Sequence, residues 1–95
     1  MAQFAVICLD IKDGLERRMS VREAHMAYVR SQPPGFIKLA GPFLDQGGEM
    51  CGSMFIFEAD SRATIDAYFA KDPYVTGGVF ASVEVRPWRV TIPWS

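Results

Sequence analysis

The residue best suited to acid–base chemistry in this sequence is its only histidine, His25. It lies in the segment RRMSVREAHMAYVR, three residues after Arg22 and seven after Arg18. At helical spacing these side chains share one stripe beside Met19 and Met26, and that stripe is unusually basic for a helix that packs on a sheet. The arginines could hold an anionic oxygen of a substrate. Alternatively they are solvated helix charges, and the histidine is a surface or structural residue.

A second candidate is Asp72, in the segment AKDPYVTGGVF. Pro73 disfavours the α conformation at Asp72, so we expect a helix arriving here to end at about Lys71. The carboxylate would then lie at a helix C-terminus, where cations are favoured and negative charge is not. The functional interpretation is that this unfavourable position lets Asp72 bind a cation or a proton. The alternative is an ordinary turn residue, because Asp-Pro readily starts a turn. Tyr74 in the same turn is a candidate for substrate contact.

We expect His25 and Asp72 to form a pair. In the predicted topology, we expect the helix that carries His25 and the helix that ends near Asp72 to run side by side in the same direction. The second half of the first helix would then lie near the C-terminus of the second. Asp72 would then orient the imidazole, hold one tautomer and stabilise the protonated form.

Ser53, in the strand segment CGSMF, is a further candidate for substrate binding. It would present a hydroxyl opposite the helices, with Gly52 leaving space for a ligand; the alternative is an ordinary strand serine beside a glycine. No G-x-S-x-G nucleophile motif is present, and one histidine with scattered carboxylates does not make a zinc site. Gly77-Gly78 lacks the sequence context of a phosphate-binding loop. We therefore expect no metal and no cofactor.

Composition predicts one folded domain spanning residues 1–95, with 49% hydrophobic residues. The net charge is −1 without blocks of like charge, which argues against nucleic acid and an anionic membrane surface as partners. The apolar runs are too short to cross a bilayer, and the N-terminal segment lacks the basic start of a signal peptide. Cys8 and Cys51 lack metal-ligand spacing, and we expect free, buried thiols in a cytoplasmic protein.

The periodicity of the sequence changes along the chain and predicts the order β-α-β-β-α-β. Strands are predicted at 3–11, 36–42, 50–59 and 81–88, with helices at 15–30 and after Asp60 or Ser61, the latter with Ile65, Tyr68 and Phe69 on its apolar face. This order predicts an α+β, ferredoxin-like sandwich in which two helices cover one face of a four-stranded antiparallel sheet.

The face of the sheet away from the helices is predicted to be apolar as well. The first strand carries Phe4, Val6 and Cys8 on one side and Ala5, Ile7, Leu9 and Ile11 on the other. A large exposed apolar face needs a cover. The simplest cover is a second copy of the chain, which predicts a homodimer with the two sheets face to face.

Four segments of the sequence resemble the YciI-like (YCII-related) family: LERRMSVREAHMAYV, AGP at 40–42, GS at 52–53 and DPYVTGGVFASVEVRPW. The resemblance extends over nearly the whole chain. It implies a ferredoxin-like fold of the dimeric α+β barrel type and an active-site cleft around a histidine and an aspartate, here His25 and Asp72, with Ser53 as a neighbour. One characterised branch removes chloride from a chlorinated hydroxyhydroquinone. We do not transfer that substrate, because nothing in these residues recognises chlorine.

The hypothesis from the sequence is a small cofactor-independent enzyme acting on an aromatic or carbonyl-bearing metabolite. His25 would be the general acid or base and Asp72 its orienting partner, which suits elimination or isomerisation because no covalent nucleophile is visible. The alternative is a ligand-binding or interaction module without turnover. A third interpretation is a monooxygenase-like member of the same barrel superfamily.

Overall fold

A computed structural model describes residues 1–93, so Trp94 and Ser95, the last two residues of the predicted domain, lie outside the described range. The elements in chain order are β1 (Ala2–Asp10), α1 (Leu15–Arg30), β2 (Ile37–Leu44), β3 (Met50–Ala59), α2 (Arg62–Phe69), α3 (Pro73–Thr76) and β4 (Phe80–Trp88). The predicted β-α-β-β-α-β order is confirmed, with the short helix α3 as an addition. None of the helices in residues 1–93 is long and apolar enough to cross a membrane.

The four strands form one antiparallel sheet in the order β2-β3-β1-β4. The two central strands, β1 and β3, are paired so that Cys8 lies opposite Ser53 and Ile7 opposite Met54. Since side chains alternate between faces along a strand, Cys8 and Ser53 point to one face and Ile7 and Met54 to the other. The helices cover the first of these faces, as expected for a ferredoxin-like sandwich.

The hydrophobic core lies between the sheet and α2. It combines the inward side chains of β1 and β3 with the predicted apolar face of α2, all of them buried: Phe4, Val6, Cys8, Phe55, Phe57, Ile65, Tyr68 and Phe69. The aromatic rings contact one another at centroid distances between 4.8 and 6.0 Å. The rings therefore form one cluster whose packing fixes α2 against the sheet.

Helix α1 lies on the sheet differently from α2. Its fully buried side chains are Arg18 and His25, whereas Met19 is 52% exposed. The two most buried side chains of α1 are therefore polar, although half-buried apolar residues such as Val21, Tyr28 and Val29 accompany them. Polar side chains can be buried only where partners satisfy them, so the position of α1 depends on the residues that bind Arg18 and His25.

The prediction that the two helices run in the same direction is wrong. β1 and β3 are antiparallel, so the helices that follow them run in opposite directions. The contacts of α1 show this order, because later residues of α1 meet earlier residues of the segment from α2 to β4: Tyr28 with Tyr68, His25 with Asp72, and Arg17 with Gly78. The chain after α2 therefore returns along α1, and that return brings Asp72 beside His25.

The predicted setting of Asp72 is also wrong. Helix α2 ends at Phe69, two residues before the predicted Lys71, and Asp72 has an extended backbone (φ −66°, ψ 123°) as Pro73 requires. Asp72 is the N-cap of α3, and its Oδ1 accepts a hydrogen bond from the backbone N–H of Tyr74 at 2.9 Å. A carboxylate is favourable at a helix N-cap, so this placement stabilises the turn.

The uncovered face of the sheet is apolar toward β2 and β3 and polar along β4, where Ser82, Glu84 and Arg86 lie on it by register. Leu9, Leu39 and Met54 are 52%, 69% and 39% exposed, and Gly41 and Phe43 of β2 lie on the same face by register. We call this surface the outer face. Single exposed apolar residues are common, whereas here several lie together on one part of a sheet face.

Cys8 and Cys51 are both free thiols, but only Cys8 is buried. The prediction of two buried thiols is therefore wrong for Cys51, which lies at the exposed start of β3. Burial raises the pKa of the Cys8 thiol to about 12, and the nearby charge of Asp72 adds to this shift. Because the thiolate is the reactive form, Cys8 should be inert in the folded protein.

We predict that iodoacetamide at pH 8 modifies one cysteine of the native chain, Cys51, and both cysteines after unfolding in urea. Intact-mass analysis at successive times measures the number of modifications. The variant Cys51→Ser provides the control, since it should stay unmodified until it is unfolded. Equal rates at the two sites in the native protein would contradict the buried, protonated state of Cys8.

Candidate active site

His25 and Asp72 are in contact and buried. His25 Nδ1 lies 2.7 Å from Asp72 Oδ1, with His25 6% exposed and Asp72 0% exposed. A carboxylate oxygen accepts, so Nδ1 carries the proton and donates it to Asp72. The ring nitrogen Nε2 has no hydrogen-bond partner among residues 1–93, and in the neutral ring it carries the lone pair. The geometry thus selects the tautomer in which Nε2 can accept a proton; the catalytic role of the two residues stays a prediction.

Tyr74 supports the imidazole from the side. Its ring stacks on His25 at a centroid distance of 3.7 Å and an interplanar angle of 10°. The guanidinium carbon of Arg18 lies 4.5 Å from the centre of the same ring. Arg18 and His25 are two helical turns apart on α1, so the tyrosine ring fills the space between them. Burial raises the pKa of Tyr74, although the positive charges of Arg18 and Arg22 act in the opposite direction.

Arg18 is held by a second carboxylate, that of Asp10. Arg18 Nε donates to Asp10 Oδ2 at 2.8 Å and Nη2 to Oδ1 at 3.2 Å, a bidentate pair with both side chains almost completely buried. Arg18 Nη2 also donates to the carbonyl of Gly52 and to Ser53 Oγ. Arg18 is therefore a fixed part of the sheet–helix junction and not a solvated helix charge.

Sequence reasoning assigned no role to Asp10. It is the last residue of β1, and the four-residue connection to α1 turns the chain back so that the first turns of the helix lie over the end of that strand. A carboxylate at the end of an apolar strand, eight residues before an arginine, is the available signal. It is a weak one, because the pairing depends on how the helix rotates on the sheet.

Ser53 and Gly52 have different roles in the structure. Ser53 is buried on the helix-covered face, where it accepts a hydrogen bond from Arg18. The prediction that Gly52 leaves space for a ligand is wrong, because a Cβ there would lie 2.5 Å from the carbonyl oxygen of Cys8 and 3.0 Å from the ring of Phe43. Protein atoms fill that space, and the glycine allows β1 and β3 to approach.

A cleft of about 250 Å³ adjoins the pair. Its polar end contains Arg18, Arg22, His25 and Ser53, with Arg22 exposed at the rim. The rest of the wall is apolar and comes from α1, β2, β3 and α3: Met26, Val29, Ala40, Gly41, Pro42, Met50, Phe55 and Tyr74. The structure thus gathers the predicted residues except Gly52 into one site. Residues 1–93 hold no group of three His, Cys, Asp or Glu side chains that could bind a metal.

The fold and the site define a class of protein, a small ferredoxin-like α+β protein with a buried His–Asp pair beside a cleft. The chain belongs to the family described as the YCII-related domain, which its sequence matches over residues 2–89. The resemblance found in the sequence is therefore confirmed.

Two relatives match nearly the full length of this chain. It is 34% identical over 93 residues to protein YciI of Escherichia coli and 31% identical over 93 residues to an uncharacterized protein of Haemophilus influenzae. Each alignment covers 90% of this chain and 95% of the relative.

Two solved structures share the fold. A 5-chloro-2-hydroxyhydroquinone dehydrochlorinase from Burkholderia phenoliruptrix, in complex with 2,5-dihydroxybenzoquinone, has a TM-score of 0.85 and 29% identity, and the match covers 92% of this chain and 93% of that one. An antibiotic biosynthesis monooxygenase has a TM-score of 0.57 at 14% identity, covering 96% of this chain and 99% of that one. The second similarity concerns the fold alone.

We predict that Asp10→Asn lowers the free energy of unfolding by roughly 3–5 kcal/mol, because it leaves the buried guanidinium of Arg18 without its counter-charge. Urea denaturation followed by circular dichroism measures the change. Asp66→Asn is the matched control: it removes a carboxylate from the exposed Arg62–Asp66 pair and should cost no more than about 0.5 kcal/mol. Equal effects of the two substitutions would contradict a structural role for the Asp10 pair.

Proposed function

We propose that this protein is a small acid–base enzyme in which His25 is the catalytic base and acid and Asp72 its orienting partner. The observation that carries the proposal is the contact between Nδ1 of His25 and the carboxylate of Asp72, which leaves Nε2 free on a ring that lines the cleft. Proton transfer by a positioned histidine contributes roughly 100- to 10,000-fold to a reaction rate.

The polar end of the cleft suits an oxygen that gains negative charge. The bonds of Arg18 to Asp10, Gly52 and Ser53 use Nε and Nη2. In our proposal, Nη1 of this cleft-lining side chain donates to the oxygen of the ligand. The hydroxyl of Ser53 accepts from Arg18 and has its own proton to donate. Fixed donors aimed at a developing oxyanion stabilise it without reorganisation.

The reaction we propose begins with transfer of a proton from a carbon next to a carbonyl group to His25 Nε2. The electron pair of the broken C–H bond moves toward the carbonyl oxygen, and the resulting enolate is stabilised by Arg18 and Ser53. In an isomerisation the proton returns from Nε2 to another carbon of the same molecule. In an elimination a leaving group departs from the adjacent carbon with its electron pair. Asp72 stabilises the imidazolium in both reactions.

The size of the cleft favours a single small ring or a short keto acid. Clefts for drug-sized ligands span roughly 300–1,000 Å³, and this one, at about 250 Å³, is smaller. The apolar wall suits a planar carbon skeleton and the polar end an oxygen substituent. The similarity to a dehydrochlorinase seen with 2,5-dihydroxybenzoquinone supports elimination chemistry and a ring of this size.

We also propose that two copies of the chain associate through their outer faces. By register, Leu39 lies opposite Ile56 and Met54 opposite Gly41 on the same face, and Leu39 and Met54 join Leu9 in a surface that a single chain leaves in water. Burying such a surface against its own copy is the common solution for a small protein, because a two-fold axis needs only one self-complementary patch.

We predict that the protein accelerates exchange of the C–H protons next to the carbonyl group of small 2-keto acids with deuterium oxide. Proton NMR against a buffer blank measures the exchange rate. His25→Gln should abolish the acceleration and Asp72→Asn should reduce it roughly 100-fold or more, because both disrupt the oriented base.

Asp66→Asn is the control for loss of an exposed carboxylate and should exchange at the wild-type rate. Exchange by His25→Gln at the wild-type rate would rule out the histidine as the base. Saturable binding of these probes with no exchange in the wild type would instead identify a ligand-binding module without turnover.

We predict a dimer in solution, with twice the 10.6 kDa mass of one chain. Leu39→Glu should shift the mass toward that of a single chain, because it places a charge in the proposed interface. Met19→Glu, at an apolar residue of similar exposure on α1, should stay dimeric. Light scattering at micromolar concentration measures all three masses, and a wild-type mass of one chain would contradict the dimer.

A further inference from the structure

Two buried polar atoms at the centre of the fold have no hydrogen-bond partner within residues 1–93: Oδ2 of Asp72 and the hydroxyl of Tyr68. Buried polar groups are nearly always hydrogen-bonded, and an unpaired one costs free energy. The cost is larger for a carboxylate oxygen, because charge is poorly solvated in the interior. One of the two atoms is an acceptor that lacks a donor, and the other is a donor that lacks an acceptor.

The backbone and the ring of Tyr68 are both held in place in the interior. Tyr68 lies on the last turn of α2, four residues before Asp72, and is 4% exposed. Its backbone carbonyl accepts hydrogen bonds from the Tyr28 hydroxyl at 2.7 Å and from the backbone N–H of Lys71 at 3.1 Å. Its ring packs among Phe55, Phe57 and Phe69. With backbone and ring fixed in this way, the hydroxyl cannot turn to solvent.

The phenol of Tyr68 keeps its proton in this environment. Burial raises the pKa of Tyr68, and the negative charge of Asp72 beside it raises the pKa further. A protonated phenol can donate a hydrogen bond, and a carboxylate oxygen is an acceptor of the kind it lacks.

We propose that Tyr68 is a positioning residue whose hydroxyl donates to Oδ2 of Asp72 and thereby fixes the carboxylate that orients His25. This inference rests on the proposed role of the His25–Asp72 pair. It adds a residue that does not touch the cleft and acts only through Asp72.

The arrangement gives each oxygen of the carboxylate its own donors. Oδ1 accepts from the Nδ1 proton of His25 and from the backbone N–H of Tyr74, and Oδ2 accepts from Tyr68. Donors on both oxygens prevent rotation of the carboxylate about its bond to the Cβ atom. Oδ1 therefore stays in line with the imidazole, and Nδ1 stays protonated in the plane that leaves Nε2 facing the cleft.

The first test compares the thermal stability of Tyr68→Phe and Tyr28→Phe at equal protein concentration. Each substitution removes one hydroxyl from two stacked rings, but only Tyr68 has a charged acceptor in the proposal. We expect Tyr68→Phe to lower Tm by about 10 °C and Tyr28→Phe by about half as much, since hydrogen bonds to charged groups are the stronger ones. If Tyr68→Phe fails to fold while Tyr28→Phe folds, the loss of the hydrogen bond has destabilised the protein completely, which also supports the proposal. A Tm that rises or stays unchanged in Tyr68→Phe would overturn the proposal, because removal of an unpaired buried hydroxyl relieves a cost.

The second test reads the imidazole directly by ¹⁵N NMR of the single histidine. In the wild type we expect the Nδ1–H tautomer with a slowly exchanging Nδ1 proton. Tyr28→Phe should give the same spectrum. In Tyr68→Phe the Nδ1 proton should exchange faster and both tautomers should be present. A histidine spectrum in Tyr68→Phe identical to that of the wild type would overturn the positioning role while leaving the His25–Asp72 pair in place. A wild-type spectrum without the Nδ1–H tautomer would contradict the pair itself, so the two ideas fail separately.

Discussion

The bidentate ion pair between Arg18 and Asp10 determines how α1 lies on the sheet. A guanidinium and a carboxylate that are both buried are tolerated only with complete pairing and good geometry. The pair joins the second turn of α1 to the end of β1, so it fixes the rotation of the helix about its axis. That rotation turns His25, two turns later on the same face, toward Asp72. The imidazole contact, the stacking of Tyr74 and the polar end of the cleft all follow from this one constraint.

The sequence predicted what depends on local pattern. Alternation and helical spacing identified the four strands, both long helices and the apolar face of α2, because these signals lie within single elements. The pairing of His25 with Asp72 was predicted from their types and the topology, although the argument used a wrong helix direction. The antiparallel arrangement of β1 and β3 reverses the second helix, and the predicted topology already contained that information.

The remaining differences have identifiable physical reasons. Asp72 precedes Pro73, and an aspartate followed by proline is a helix-start signal, with the cap residue first and proline at the first helical position. Reading it as the end of α2 overlooked a helix of four residues. Gly52 is explained by the approach of the Cys8 backbone, and the role of Asp10 by the rotation of α1 on the sheet. Both are contacts between different elements. Pattern within a segment cannot predict such contacts.

The strand β2 links two surfaces that would otherwise be separate. Its residues Ala40, Gly41 and Pro42 line the cleft, while Leu39 and Gly41 lie on the outer face of the same strand. A sheet is a single layer of backbone, so no other residues separate the cleft side of β2 from its outer side. A substitution in β2 that moves its backbone on the outer face therefore also moves the wall of the cleft. If the outer face and the cleft act as proposed, substitutions in β2 that change association between copies would also change ligand preference.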